Sequence, residues 1–179
     1  MATDKVRAML VTDEHLLVGE IPTRGQRLLE NLLDPTTRFL HIHQVHVCRR
    51  VATSDSDHFL DHAVVAKELL SLAILSGRKH EAPNVHRYAN VEKRSLSAFL
   101  IVSGFEVRGR MHCHGSSDPV AILSTEMGSF IPVTQATVSW DRGKPIAAGV
   151  VLVNRAYTSL LQVGEAQQVE NAQLVLEHA

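Results

Sequence analysis

Val102–Met111 reads VSGFEVRGRM, and Thr12–Ile21, ninety residues earlier, reads TDEHLLVGEI. In both stretches an apolar run meets a polar tip, and the run that follows carries a glycine, Gly109 or Gly19. That is the pattern of a β-hairpin. A glycine inside a strand permits a bulge or sharp bend, as in a strand that curls around a small barrel. Working outward from the pair, an offset of 90 matches Ala8 with Ala98, Leu10 with Leu100, Gly19 with Gly109 and Gly25 with Gly115. An offset of 91 then matches Phe39 with Phe130, Gln44 with Gln135 and Val47 with Val138. The chain reads as one unit written twice.

Between hairpin and long strand, GQRLLENLLDP (Gly25 to Pro35) places Leu28, Leu29, Leu32 and Leu33 at helical spacing. Its counterpart SDPVAILSTEMG has Asp118 as candidate N-cap and Pro119 at the first helical position. FLHIHQVHVC (Phe39 to Cys48) alternates at period two, which puts Ile42, Gln44, His46 and Cys48 on one face and His41, His43, Val45 and Val47 on the other. RRVATSDSDHFLDH is polar and acidic and reads as an exposed loop. The repeat assigns VVAKELLSLAIL and VVLVNRAYTSLLQ to one role, two short strands around a tight turn at Lys67-Glu68 and at Asn154-Arg155. The organisation expected is a first small-barrel repeat over 1–77, a connection over 78–94, a second repeat over 95–163, and a C-terminal helix or tail over 164–179.

Composition bounds the function. The 179 residues are 45% apolar, enough for a substantial core. Lys and Arg number 18 against 19 Asp and Glu, so no general field draws the chain to nucleic acid or an anionic membrane. Two cysteines make no disulfide framework, the first residues lack a signal-peptide pattern, and no apolar run reaches the length of a spanning helix. These features are those of a cytoplasmic protein that does not enter a membrane. G-x-S-x-G, Walker and G-x-G-x-x-G motifs are absent, so no enzyme and no cofactor is expected.

The order of elements, with VSGFEVRGRM as first hairpin, resembles the Sm-like family of small β-barrels, to which the bacterial RNA chaperone Hfq belongs. Ser103-Gly104 and Gly109 match the family's turn and bent second strand; AKELLSLAIL is similar to its last strand pair, with Lys67 at the basic position and Glu68 where the family has histidine. Asn154 and Arg155 resemble the arginine-containing turn of Sm proteins. More distantly, the repeats resemble tandem-repeat bacterial proteins of unassigned function. The Sm-like resemblance implies a mainly β fold of two tandem Sm-like or SH3-like small barrels, each with one short helix. It further implies a non-enzymatic binding or assembly module, a homo-oligomer, and RNA as the first ligand, contacted by Lys67, Asn154 and Arg155.

Two alternatives stand beside it. In MHCHG, alternation places His112 and His114 on one strand face, the start of a cupin-like metal site. The equivalents in the first repeat are Pro22 and Arg24, which argues for ordinary strand histidines. His41, His43 and His46 read as a solvent-facing or interface strand rather than a ligand set. A scaffold for protein-protein interaction is the other alternative.

Overall fold

The computed structural model describes residues 5–51, 57–75, 94–113, 118–124, 128–140 and 143–164. The expected connection, apart from Arg94, and the expected C-terminal helix or tail, apart from Gly164, lie outside them. The first half consists of β1 (Lys5–Val11), β2 (His15–Pro22), α1 (Leu28–Leu33), β3 (Phe39–Arg49), β4 (His58–Ala66) and β5 (Leu72–Leu75). A 3-10 turn, Lys67–Leu69, joins β4 to β5. The second half follows the same plan: β6 (Arg94–Val102), β7 (Phe105–Cys113), α2 (Pro119–Ser124), β8 (Phe130–Ser139), β9 (Ile146–Asn154), a 3-10 turn at Arg155–Tyr157, and β10 (Thr158–Gly164).

All ten strands form one open antiparallel sheet in the order β10-β6-β7-β8-β9-β5-β1-β2-β3-β4. Each half has the same internal order, with its fifth strand beside its first. The halves are joined where β5 pairs with β9 in the register Leu72↔Val153, Ala73↔Leu152, Ile74↔Val151 and Leu75↔Val150. Two separate closed barrels are therefore not what the strands make. Closure of the first half would need the outer edge of β5, and β9 occupies it.

Two cores flank this joint. One gathers Leu96 to Val153 of the second half and takes Val11, Leu72 and Ile74 from the first. The other gathers Val6 to Leu75 of the first half and takes Phe130 and Leu152 from the second. Successive residues of β5 therefore serve different cores, and all four are buried. This explains why LAIL and VVLV show no polar alternation: a strand covered on both faces is apolar throughout.

The paired glycines mark a shared bend. The β2–β3 register shifts between Val18 and Glu20, and the β7–β8 register between Arg108 and Arg110. Opposite them, Gln44 and Gln135 adopt φ of 48° and 49°, the left-handed conformation of a bulge residue. The bulge corrects the expected faces of β3. Leu40, Ile42 and Val45 are buried, while His41, Gln44 and His46 are exposed and His43 half-buried, because the extra residue at Gln44 inverts the alternation after it. A second correction concerns β4, which begins at His58 within the stretch expected to be loop. Residues 58–62 are all exposed on an edge strand, so they carry no core-facing alternation to read.

A Cβ on Gly19 would lie 2.7 Å from the His43 carbonyl oxygen, and one on Gly109 would lie 2.7 Å from Val133 Cγ1 and 2.8 Å from the Thr134 carbonyl oxygen. Gly19→Ala and Gly109→Ala should each lower stability by about 1–3 kcal/mol, the usual effect of overpacking. The urea midpoint of unfolding measures it; midpoints equal to wild type would show that the bend does not depend on these glycines.

Candidate functional site

The two 3-10 turns hold the residues expected to contact RNA, and register fixes their correspondence. Phe39 pairs with Ala66 and Phe130 with Asn154, so Lys67 is equivalent to Arg155 and Ala66 to Asn154. Lys67 is buried. Its Nζ donates to the Asn31 carbonyl, to Thr37 Oγ1 at 2.7 Å and to the Asp34 carbonyl at 3.1 Å, closing the C-terminal end of α1. Burial pushes the Lys67 pKa below its ordinary value, and Asp34 partly opposes this. The Asp34 carboxyl is itself held below the usual carboxylate range by hydrogen bonds from the Thr36 hydroxyl and backbone N–H. Arg155, half-buried, repeats the arrangement by donating to the Leu123 carbonyl of α2 at 3.3 Å.

Asn154 sits at the joint between halves. Its Nδ2 donates to the Leu70 carbonyl at 2.8 Å, its backbone N–H to the Ser71 carbonyl at 2.9 Å, and its Oδ1 accepts from the Ala156 N–H. Tyr157 adds a hydroxyl bond to the Glu68 carbonyl at 2.8 Å. Asn154 is buried, and both ends of its amide bond within the chain. Lys67 and Arg155 thus each hold a helix end, and Asn154 joins the halves where the two turns meet.

His112 donates to or accepts from Thr134 Oγ1 at 3.0 Å, and His114 lies outside the described residues. The neighbouring Cys113 is buried, which raises its thiol pKa. Among the described residues, no group of three or more His, Cys, Asp or Glu side chains is set to hold a metal ion as it stands. None of their helices is long and apolar enough to cross a membrane.

The most informative surface is the pair of sheet edges, β4 and β10. Residues equivalent by register differ sharply in exposure across the joint and at the edges. Phe130 is 2% exposed beneath α1 and its equivalent Phe39 is 56% exposed; Leu152 is 3% and Val64 is 54%; Leu72 is 0% and Leu160 is 42%. Phe59 and Leu60 extend the apolar strip along β4. Equivalent serines, Ser71 just before β5 and Ser159 at the start of β10, make the same bond in both halves, Ser71 Oγ to the Val11 carbonyl at 3.2 Å and Ser159 Oγ to the Ile101 carbonyl at 3.1 Å. Among the described residues, a serine carbonyl meets a neighbouring fourth strand at the inner joint, where Ser71 accepts from the Asn154 N–H.

Beside β4, a groove of about 860 Å³ runs between α1 and β3, lined by Arg24, Asn31, Asp34, Arg38, Lys67 and three imidazoles, His41, His43 and His62, among others. His41 and His43 were legible as sharing a face; His62 was not, because it falls in the part of β4 read as loop. Comparison with protein-family models, curated proteins and solved structures gives no match.

Lys67→Met should destabilise the fold by about 1–3 kcal/mol through carbonyls left without their donor. Glu68→Ala, at an exposed neighbour in the same turn, should stay within about 0.5 kcal/mol. Thermal unfolding of the two variants distinguishes a closing role for Lys67 from a solvated surface lysine, for which both would match wild type.

Proposed function

We propose that this chain is a tandem Sm-like assembly module, which polymerises through its two open sheet edges into a closed array of whole chains. One observation carries the reading: the β9–β5 joint inside the chain is a complete example of a fourth strand paired with a fifth, and among the described residues the sheet is bounded by a fourth strand, β4, and a fifth strand, β10, each paired on its inner side alone. Transferring the inner register to the edges pairs Val65 with Leu160, Val64 with Leu161, Ala63 with Gln162 and His62 with Val163 of a second copy. That contact would cover Val64 and Leu160, and would bring a helix over Phe39 as α1 covers Phe130. Exposed apolar edges are a liability in a lone chain and a docking strip in an assembly. Successive copies meet head to tail, a heterologous contact that closes when the rotation per chain divides the circle.

Single-stranded RNA, which the Sm-like resemblance implies, is the ligand assigned to the assembled surface. Lys67, Asn154 and Arg155 act in this reading chiefly by fixing the turns that shape that surface, since their polar groups are engaged within the chain. A labelled oligoribonucleotide at low salt should raise its anisotropy with the wild-type protein, and the effect should fall with added salt. Unchanged anisotropy at low salt removes RNA from the proposal without touching assembly.

For assembly itself, light scattering of wild type should give a mass of several 19.7 kDa chains. Val64→Glu and Leu160→Glu, placed on opposite edges, should each give monomer, and a wild-type monomer at micromolar concentrations would overturn the reading.

A further inference from the structure

We infer that His41, His43 and His62 form a binding site for a divalent transition-metal ion, with zinc as the reference ion. The strand geometry assembles them. His41 and His43 stand two residues apart on the outward face of β3, before the Gln44 bulge, and His62 is the cross-strand partner of His43 on β4. Directly opposed residues on one face have Cβ atoms about 4.5–5.5 Å apart. The imidazoles accordingly touch: His41 Nδ1 lies 3.1 Å from His62 Nε2, the His41 and His62 ring centroids are 5.3 Å apart, and those of His43 and His62 are 4.9 Å apart.

The nitrogen spacing is the informative quantity. Zinc-nitrogen bonds of about 2.0–2.1 Å at a tetrahedral centre separate two ligand nitrogens by about 3.3–3.4 Å, close to the distance already present. The contact between the rings is a hydrogen bond in which one nitrogen donates and the other offers its lone pair. Ligation requires both nitrogens as lone-pair donors. The donating ring meets this by carrying its proton on its other nitrogen, so two neutral imidazoles bind the ion with no net loss of protons. His43 joins by rotation about its side-chain torsions, and water completes the sphere; the rings as they stand are not yet a three-ligand set.

The charged lining of the groove is mainly basic, Arg24, Arg38 and Lys67 beside Asp34, with the Arg38 guanidinium paired to Glu68 at 2.9 Å, so an ion would be held by imidazole lone pairs and not by a negative field. The carboxylates of β4 and its approach are engaged away from the cluster: Asp61 Oδ1 accepts from Gln44 Nε2 at 3.5 Å, and Asp57 contacts His46 Nε2 at 3.2 Å. The ligands are thus imidazole alone, a set suited to zinc, copper or nickel rather than to calcium or magnesium. The repeat supplies an internal contrast, since the equivalents of His41, His43 and His62 are Pro132, Thr134 and Val150. The site belongs to the open edge and is absent from the inner joint.

The test is calorimetric titration of the untagged full chain with zinc chloride, and separately with cobalt chloride, in a buffer that does not chelate, with histidine-ring NMR as second readout. About one zinc ion per chain should bind, and the ring-nitrogen signals of His41 and His62 should shift together. His62→Ala and His41→Ala should each weaken that binding at least tenfold, with circular dichroism unchanged. His58→Ala, exposed at the start of the same strand, should leave it unaltered. Repeating the titration on Val64→Glu separates the site from assembly: retained binding in a monomer shows that the ion needs only one chain. Zinc affinity equal in wild type and the His41→Ala/His43→Ala/His62→Ala variant, or zinc shifts confined to other histidines, would overturn the inference.

Discussion

The β5–β9 joint is covered by protein on both sides, and most of the architecture follows from that. A strand in this position has no solvent face, so each side chain must be apolar and each backbone group must find a partner within the sheet. LAIL and VVLV meet the first demand. The second is met at the end of the strands by a buried asparagine, whose amide and backbone reach the Leu70 and Ser71 carbonyls. Since Leu72 and Ile74 pack into one core while Ala73 and Leu75 pack into the other, neither half completes its interior alone. Two halves built on one plan are physically one folded body.

What the sequence disclosed depended on whether a residue's role leaves a local pattern. Gly19 and Gly109 were readable as bend sites because a missing side chain inside a strand has few other uses, and the shifted registers bear this out. The short helices were readable from leucine spacing and from Asp118, whose Oδ1 accepts the Val120 N–H. The bulge at Gln44 was not: a left-handed glutamine has no compositional mark, although its recurrence as Gln135 was visible as an identity. The first part of β4, residues 58–62, escaped because polar and apolar groups that are all exposed on an edge strand lack the alternation that betrays burial.

The candidate site was less legible still. Lys67 and Arg155 stood out as basic residues in turns, and a basic turn invites a phosphate. Their acceptors are main-chain carbonyls near the ends of α1 and α2, joined for Lys67 by the Thr37 hydroxyl, all far away in sequence. Nothing local to KELL or NRAY encodes such partners. The histidine cluster had two of its three members in plain view, and the third became meaningful only with the β3–β4 register, a long-range property.

Carrying two halves of one plan in a single chain also changes what the sequence is free to vary. A protein that repeats one unit must use the same residues at all of its contacts, so a change that tunes one contact alters them all. Here Val150 occupies the inner joint and His62 the corresponding place on the outer edge. The inner contact is apolar, while the edge strand in the corresponding place carries ionisable side chains. Two strands at corresponding places in the two halves thus take different parts, one buried inside the sheet and the other presenting ionisable groups at its edge.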